Sequence, residues 1–274
     1  AADAHRQREE GSRRDDRLFP SILVAIRGDE SGWAALEQGL ILARREDARL
    51  RGLHIISSAE QQAHAATRAV EGGFRHLYAE AEVQGEFVFD VGAVHRKICD
   101  RARWADLVIV SLNYPPQPQA VAKLSSGLVT LIRRCPRPIL TVPYSPSHME
   151  HALLAYDGTP KAREALFVAT YISGRWDVPL TVVSVLEGDR VDAETLAEAQ
   201  EYVDIHGINA TCKAVNKSES GEAVADAILN TAADRGCDLI LMGGYGVGPM
   251  LEAVIGSTVD QVLRKSPWPM LICR

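Results

Sequence analysis

The sequence predicts an α/β protein built from two tandem units, each an open parallel sheet with helices on both faces. Three observations support this prediction: the length of 274 residues, the alternation of short apolar runs with stretches of helical spacing, and the repetition of that alternation. At about 150 residues per domain, the length fits two domains. Strands that are almost wholly apolar and alternate with helices are typical of parallel sheets buried on both faces.

In the first unit, five apolar runs predict five strands. Leu36, Leu40 and Ala43 have helical spacing between the first two runs. The segment 1–20 is rich in arginine and acidic residues and poor in large apolar side chains, so we expect a disordered or loosely attached tail there. The predicted strands of this unit are Ser21–Ile26, Leu50–Ile56, Glu86–Asp90, Leu107–Leu112 and Pro138–Val142.

The second unit repeats the first. Matching segments near the start, middle and end of the units are separated by 130, 132 and 131 residues, and offsets this constant indicate two copies of one structural unit. The units span about 21–143 and 152–274, and residues 144–151 are the predicted linker. The aligned pairs are Val24–Gly28 with Leu154–Gly158, Ala105–Val110 with Cys237–Met242, and Cys135–Leu140 with Ser266–Leu271.

The composition narrows the classes of function. The net charge of −6 makes binding to nucleic acid or to an anionic membrane surface a poor prospect. No apolar run reaches the roughly 18 residues of a membrane span, and no signal peptide is visible. The five cysteines are widely spaced and include no CxxC, which argues against a disulfide framework or a cysteine zinc site. We therefore expect a cytoplasmic protein that is not inserted in a membrane.

A glycine-rich segment follows a predicted buried strand of the second unit, Asp238–Met242. Glycines allow a close backbone approach to a ligand, and the N–H groups before the apolar pattern of Val259, Val262 and Leu263 would head a helix, where an anion is favoured. A tight turn with a helix cap would look the same. Neither GxxxxGK[ST] nor a GxGxxG after the first strand of either unit occurs, so a P-loop or dinucleotide site is not expected.

The spacing within this segment is more specific than its glycine content. Gly243, two residues, Gly246, nine residues, Gly256 and then Ser257 resembles the nucleotide-binding pattern of the universal stress protein family. The resemblance extends over residues 21–274 as two tandem domains. It implies the Rossmann-like fold of the adenine nucleotide alpha hydrolase-like type. It also implies that the last strands of the units, Pro138–Val142 and Pro269–Cys273, pair within the chain as a pseudo-dimer.

The resemblance also implies roles for individual residues. ATP-binding members hold adenine and ribose near the first two strands and hold the phosphates in the glycine loop. Asp157 would then lie beside the adenosine or a bound metal, and the backbone of Val185 would contact adenine. Met242 and Gly243 would pack on the nucleoside. The residues that would hold the phosphates are Gly246, Gly256, Ser257 and Thr258.

Some residues of the second unit depart from the family pattern. The stretch Val247–Ile255 contains no lysine or arginine, although family loops often place a basic residue where Val247 stands. Phosphate charge would then depend on backbone N–H groups, Ser257 and a divalent cation such as Mg²⁺, so AMP or ADP stays an alternative to ATP. Asp157 could also serve only to bond the backbone of its turn.

The first unit departs much further. Arg27 stands where the second unit has Asp157, and Ser111, Tyr114 and Ser125 replace the three glycines. Prolines at 115, 116 and 118 lack the N–H groups that a phosphate cradle needs. We expect this unit to have lost nucleotide binding and to serve structure or partner recognition.

The expected function is regulatory binding of an adenine nucleotide in a stress response, with an intramolecular pseudo-dimer, a possible homodimer and a protein partner. No general base stands out near the glycine segment, so we expect at most a slow ATPase. An alternative is the cytosolic regulatory region of a longer membrane transporter or channel, which fits the non-Met start and the arginine-rich stretch 6–17. An adenylating or pyrophosphatase enzyme is disfavoured, because Tyr156–Thr159 carries no SGGxDS-like motif. His148 and His151 lack a convincing third metal ligand.

Overall fold

A computed structural model describes residues 17–112, 126–187, 191–216, 223–245 and 258–274. Within these ranges, ten strands alternate with eight α-helices. The strands are β1 (Ser21–Ala25), β2 (Arg49–Ile56), β3 (Gly85–Val91), β4 (Leu107–Ser111), β5 (Ile139–Val142), β6 (Ala152–Ala155), β7 (Leu180–Leu186), β8 (Ala210–Asn216), β9 (Leu239–Gly243) and β10 (Met270–Cys273). The helices are α1 (Glu30–Glu46), α2 (Ala65–Glu80), α3 (Val94–Ala102), α4 (Ser126–Arg134), α5 (Pro160–Trp176), α6 (Ala193–Ile205), α7 (Val224–Asp234) and α8 (Thr258–Lys265).

The strands form one continuous sheet in the order β3-β2-β1-β4-β5-β10-β9-β6-β7-β8. β1–β5, the first half, and β6–β10, the second half, have the same internal order, and every pairing within a half is parallel. The halves join where β5 and β10 pair antiparallel, with Leu140 opposite Leu271. The predicted open α/β fold and the pairing of the last strands are confirmed.

The first helix of each half begins and ends in the same way. α1 and α5 both have 17 residues and begin after a capping side chain, that of Asp29 or Thr159. Pro160 occupies the first turn of α5, where its missing N–H costs nothing. Both helices end at an aspartate in the left-handed region, Asp47 (φ 46°) and Asp177 (φ 54°). These matching ends place α1 and α5 at equivalent positions of the two halves.

Residues 17–20 are packed, although we expected them to end a loose tail. Phe19 is buried and meets Tyr171 edge to face, with ring centroids 6.2 Å apart. The Leu18 N–H donates to the Tyr171 hydroxyl at 2.9 Å, and the Arg17 guanidinium lies 3.0 Å from the Asp47 carboxylate. The polar composition of the segment as a whole concealed the apolar pair Leu18-Phe19. Residues 1–16 of the expected tail lie outside the described residues.

None of the helices in the described ranges is long and apolar enough to span a membrane. The five cysteines are free thiols.

The predicted linker is packed against the rest of the fold. Met149 is buried, and the His151 ring nitrogen Nε2 lies 3.0 Å from the Thr181 hydroxyl.

Candidate ligand-binding site

A cavity of about 330 Å³ opens beyond the carboxyl ends of β6, β7 and β9. Its size is near the lower end of the range of about 300–1,000 Å³ that is usual for small-molecule sites. Open parallel sheets bind their ligands at this edge. The described lining residues are Ala155, Tyr156, Asp157, Thr159, Pro160, Lys161, Val183, Val185, Glu187, Val191, Val224, Ile228, Met242, Gly243, Gly244, Tyr245, Thr258 and Val259.

One wall of the cavity is apolar. Val183 and Val185 on β7, Ile228 on α7 and Met242 on β9 are each no more than 6% exposed. The strands carry these residues because a sheet covered on both faces needs apolar side chains on both sides. A wall of this kind suits a flat, weakly polar ring such as a nucleobase.

Asp157 lies on the rim, in the turn between β6 and α5. Its Oδ1 accepts the Thr159 backbone N–H at 3.1 Å and the Thr159 hydroxyl at 2.7 Å. The Thr159 hydroxyl oxygen in turn accepts the Ala162 N–H at 3.2 Å. Asp157 therefore forms the turn bonds that the sequence left as an alternative, and the same bonds hold its carboxylate at the rim.

Gly243 allows α5 to approach the end of β9 closely. A Cβ at this position would lie 2.8 Å from the Ala162 backbone nitrogen and 2.9 Å from the Lys161 carbonyl carbon. Real side chains do not pack that closely against backbone, so the first turn of α5 can lie here only over a glycine.

Lys161 lines the cavity, although it was not among the residues that the sequence pointed to. It is the only cation among the described residues that line the cavity, and its Nζ donates to the Tyr245 carbonyl oxygen. It lies in the first turn of α5, where the helix dipole disfavours a positive charge. The family resemblance pointed to the position of Val247 for a basic residue, whereas Lys161 comes from another element. The available signal was a lysine four residues after Asp157.

Tyr245 closes one side of the cavity and is only 5% exposed. Its hydroxyl donates to Asp260 Oδ1 at 3.3 Å, and its ring faces the Arg133 guanidinium, whose carbon lies 5.1 Å from the ring centroid. Burial, and then the Asp260 carboxylate, raise the pKa of Tyr245 well above its ordinary value. Arg133 belongs to α4, so the first half contributes to the wall behind this cavity.

The structure brings together five of the eight residues that the resemblance implied. Asp157, Val185, Met242, Gly243 and Thr258 all line the cavity, and Thr258 is the first residue of α8. The other three implied residues, which lie outside the described residues, are Gly246, Gly256 and Ser257.

Tyr156 also lines the cavity. Its side chain is buried, and its hydroxyl donates to Glu198 Oε2 at 3.3 Å. At the equivalent of Asp157 in the first half, the Arg27 Nε lies 3.3 Å from Asp29 Oδ2. The corresponding loop residues Tyr114 and Ser125 lie outside the described residues.

Known proteins with similar sequences are universal stress proteins. A universal stress protein of Synechocystis sp. is 29% identical over 171 residues, which are 62% of this chain and 58% of that protein. This chain thus aligns with little more than half the length of that relative. A universal stress protein of Bacillus subtilis is 27% identical over 143 residues, 44% of this chain and 97% of that protein.

The fold also has solved counterparts. The match to a universal stress protein from Archaeoglobus fulgidus covers 94% of this chain and 98% of that protein's chain, with a TM-score of 0.74 and 17% sequence identity. A putative one from Pseudomonas aeruginosa covers 93% of both chains, with a TM-score of 0.68 and 19% identity. A shorter universal stress protein, solved in complex with cAMP, covers 46% of this chain with a TM-score of 0.38 and 19% identity.

The sequence model of the Universal stress protein family matches twice in tandem, over residues 19–143 and 149–274. These matches include both halves of the sheet and every described residue that lines the cavity. The chain therefore belongs to the universal stress protein family.

Proposed function

We propose that this protein is a cytoplasmic regulator that binds ATP, or a related adenine nucleotide, in the cavity of its second half as part of a stress response. The observation that carries the proposal is the cavity beyond β6, β7 and β9, which combines an apolar wall with one lysine and one helix start. Nucleotide binding would change the proteins with which the chain associates.

The lining residues fit the parts of a nucleotide. Val183, Val185 and Met242 offer apolar surface to the base. Lys161 and the N-terminal end of α8 at Thr258 offer positive potential to the phosphates. Lys161 supports the proposal because it supplies the positive charge that the stretch Val247–Ile255 lacks.

Mg²⁺ would enter with the nucleotide rather than occupy a site of its own. Within the described ranges, no group of three or more His, Cys, Asp or Glu residues could hold a metal ion. Mg²⁺ in nucleotide sites is commonly held by one or two carboxylates together with phosphates. Asp157 on the rim provides one such carboxylate.

We expect binding to matter more than turnover. Asp157 and Glu187 are the carboxylates among the described lining residues, and the turn bonds of Asp157 use its Oδ1. A general base for hydrolysis must reach the attacking water directly or through one further water, and Asp157 Oδ1 is already engaged in the bonds of its turn. We therefore propose a nucleotide sensor with at most slow ATPase activity.

Titration calorimetry with ATP, ADP, AMP, adenosine and GTP tests this proposal. We expect the adenine ligands to bind and GTP to bind more weakly. We also expect Gly243→Val to abolish binding. Gly72→Val, in α2 with open space around its Cβ position, is the matched control. Absence of binding by every adenine ligand up to millimolar concentration would refute the proposed function.

A further inference from the structure

The C-terminal ends of α1 and α5 meet where the two halves join. Both helices have 17 residues and end at a left-handed aspartate, Asp47 or Asp177, with an offset of 130 residues. Glu46 and Trp176 are the last residues of the two helices, so they occupy the same position in the two halves. These equivalent residues touch each other, and they therefore lie close to the axis that relates the halves.

Glu46 accepts three hydrogen bonds in a buried setting. Its Oε1 accepts the Trp176 indole N–H at 2.6 Å, and its Oε2 accepts the Tyr171 hydroxyl at 2.8 Å and the Phe19 N–H at 3.4 Å. Glu46 is 0% exposed, and the Arg45 guanidinium carbon lies 5.3 Å from the centre of the Trp176 ring. Burial, and to a lesser extent the bond to Glu46, raise the pKa of Tyr171 to about 12.

Two chain segments also cross between the halves. Leu18 and Phe19 lead into β1 but pack on Tyr171 of α5, as described above. Ser147 leads towards β6 but is hydrogen-bonded to Gln38 of α1. The Gln38 side-chain amide donates to the Ser147 carbonyl oxygen at 3.0 Å, and the Ser147 N–H donates to Gln38 Oε1 at 2.8 Å. Each half thus holds the entry segment of the other.

The side chains that make these contacts are not repeated in the two halves. Tyr171 corresponds to Ile41, and Gln38 corresponds to Val168, at the offset of 130 residues. Ile41 and Val168 have no polar side-chain group, so neither can replace the hydroxyl or the amide. The polar contacts between the halves on this helical face therefore depend on unlike residues at equivalent positions.

We propose that this face is selective for unlike halves: it accepts the second half of its own chain and rejects pairing of two identical halves. Two first halves would place Glu46 against Glu46, burying two carboxyl groups without the donors that Trp176 and Tyr171 of the second half supply. Two second halves would place Trp176 against Trp176, leaving each indole N–H without this acceptor. Buried charges and polar groups without partners are strongly disfavoured, which makes Glu46 a specificity residue for the pairing.

The test compares Trp176→Glu with Trp176→Gln in the full chain. The two variants have the same size and differ in charge, so the cavity left by the indole is common to both. Urea unfolding followed by far-ultraviolet circular dichroism gives the unfolding equilibrium constant of each. We expect Trp176→Glu to be less stable than Trp176→Gln by at least about tenfold in that constant, because two carboxylates then face each other.

The same pair of variants in a Glu46→Gln background isolates the like-with-like contact. We expect the difference between Glu and Gln at position 176 to fall to about threefold or less, because the facing charge is gone. An equal difference in both backgrounds would overturn the proposal, since it would reflect only the cost of burying a carboxylate. Glu37→Gln, at an exposed position of α1, is the matched background control and should leave the difference unchanged.

If no variant with Glu or Gln at position 176 folds, a double-mutant cycle of Trp176→Phe with Glu46→Gln tests the proposal instead. Trp176→Phe keeps a ring and removes the indole N–H, and Trp104→Phe, at a residue 77% exposed, is its control. We expect Trp176→Phe to raise the unfolding equilibrium constant of the wild type about tenfold. In the Glu46→Gln background the increase should be at least about threefold smaller, because a neutral hydrogen bond is weaker than a charge-assisted one. Equal losses in both backgrounds would overturn the proposal.

Discussion

Lys161 is the residue through which the cavity of the second half would distinguish a nucleotide from a nucleoside. Its Nζ donates to the Tyr245 carbonyl oxygen, and it lies in the first turn of α5 beside Gly243. A lysine at a helix start gains nothing from the helix dipole, so an anionic ligand gives this position a physical reason.

Replacing Lys161 by methionine tests that role. Lys161→Met should weaken ATP and ADP binding about tenfold or more, because a charge-assisted contact to phosphate is lost. Adenosine binding should stay within about twofold of the wild type, since the apolar wall is unchanged. Calorimetric titration of each ligand checks this prediction, with Lys265→Met as the control because Lys265 pairs with Asp226. An equal loss of affinity for adenosine and ATP would show that Lys161 only shapes the cavity.

Gly243 sets the distance between β9 and α5. Gly243→Ala should lower the free energy of unfolding by about 1–3 kcal/mol, because the new Cβ would press on the backbone of Lys161 and Ala162. Chemical denaturation measures the loss. Gly72→Ala in α2 should instead be neutral or stabilising, because its Cβ meets nothing within 4 Å. Similar stability of the two variants would contradict the close approach at Gly243.

Asp90 at the end of β3 gives a prediction on pH. Two hydrogen bonds from Arg101, at 2.8 and 3.0 Å, hold the pKa of Asp90 below its ordinary value of 3.8. The ion pair therefore stabilises the fold above about pH 3.8, and its contribution is lost as the pH falls through the lower folded value. Asp90→Asn should cost up to about 1 kcal/mol at pH 7 and nothing at strongly acidic pH. A cost that does not change with pH would contradict this assignment.

At the scale of elements, α4 of the first half connects the two halves at the cavity. Arg133 faces the Tyr245 ring, and a Cβ on Gly244 would lie 3.8 Å from the Ile132 side chain. The Gly244 N–H donates to the Cys273 carbonyl at 2.6 Å, so the segment that follows β9 rests on both α4 and β10. The first half thus supports one wall of the cavity in the second half.

This contact predicts an effect of the first half on nucleotide affinity. Arg133→Ala should weaken ATP binding by a factor of about three to ten, because Tyr245 loses the cation that packs on its ring. Arg134→Ala, the exposed neighbour on α4, should leave affinity unchanged. Parallel calorimetric titrations compare the two. Unchanged affinity in Arg133→Ala would show that the first half does not reach the site.

The elements could be predicted from the sequence more fully than the contacts between them. Apolar runs predicted the five strands of the first half, and also β9 and β10, to within one residue, because these signals are local. Lys161 in the cavity and Arg133 on Tyr245 depend on packing between distant segments, which no local pattern encodes. The burial of Phe19 was missed because the apolar pair Leu18-Phe19 ends a strongly polar segment.

At the scale of the whole molecule, the ten-stranded sheet joins the two halves, and we expect them to unfold as one unit. Leu140 and Leu271 lie opposite each other at the β5–β10 junction and are at most 2% exposed. The polar contacts of Glu46 span the same junction on the helical side. Separation of the halves would expose both layers to water, so neither half should unfold alone.

Leu140→Ala tests this cooperativity. A buried leucine-to-alanine change costs about 2–5 kcal/mol, and here the loss should lower a single transition that includes both halves. Calorimetry should give equal calorimetric and van't Hoff enthalpies for the wild type and the variant. Two transitions, with only one shifted by the substitution, would show that the halves unfold independently.

The number of adenine nucleotides bound per chain tests the central claim most directly. The purified protein is saturated with ATP and Mg²⁺, freed of unbound ligand and denatured, and the released nucleotide is identified and counted against protein concentration. A single site in the cavity lined by Asp157, Val185, Met242, Gly243 and Thr258 predicts one adenine nucleotide per chain, lost in Gly243→Val. Two nucleotides per chain, or one that persists in Gly243→Val, would contradict the account.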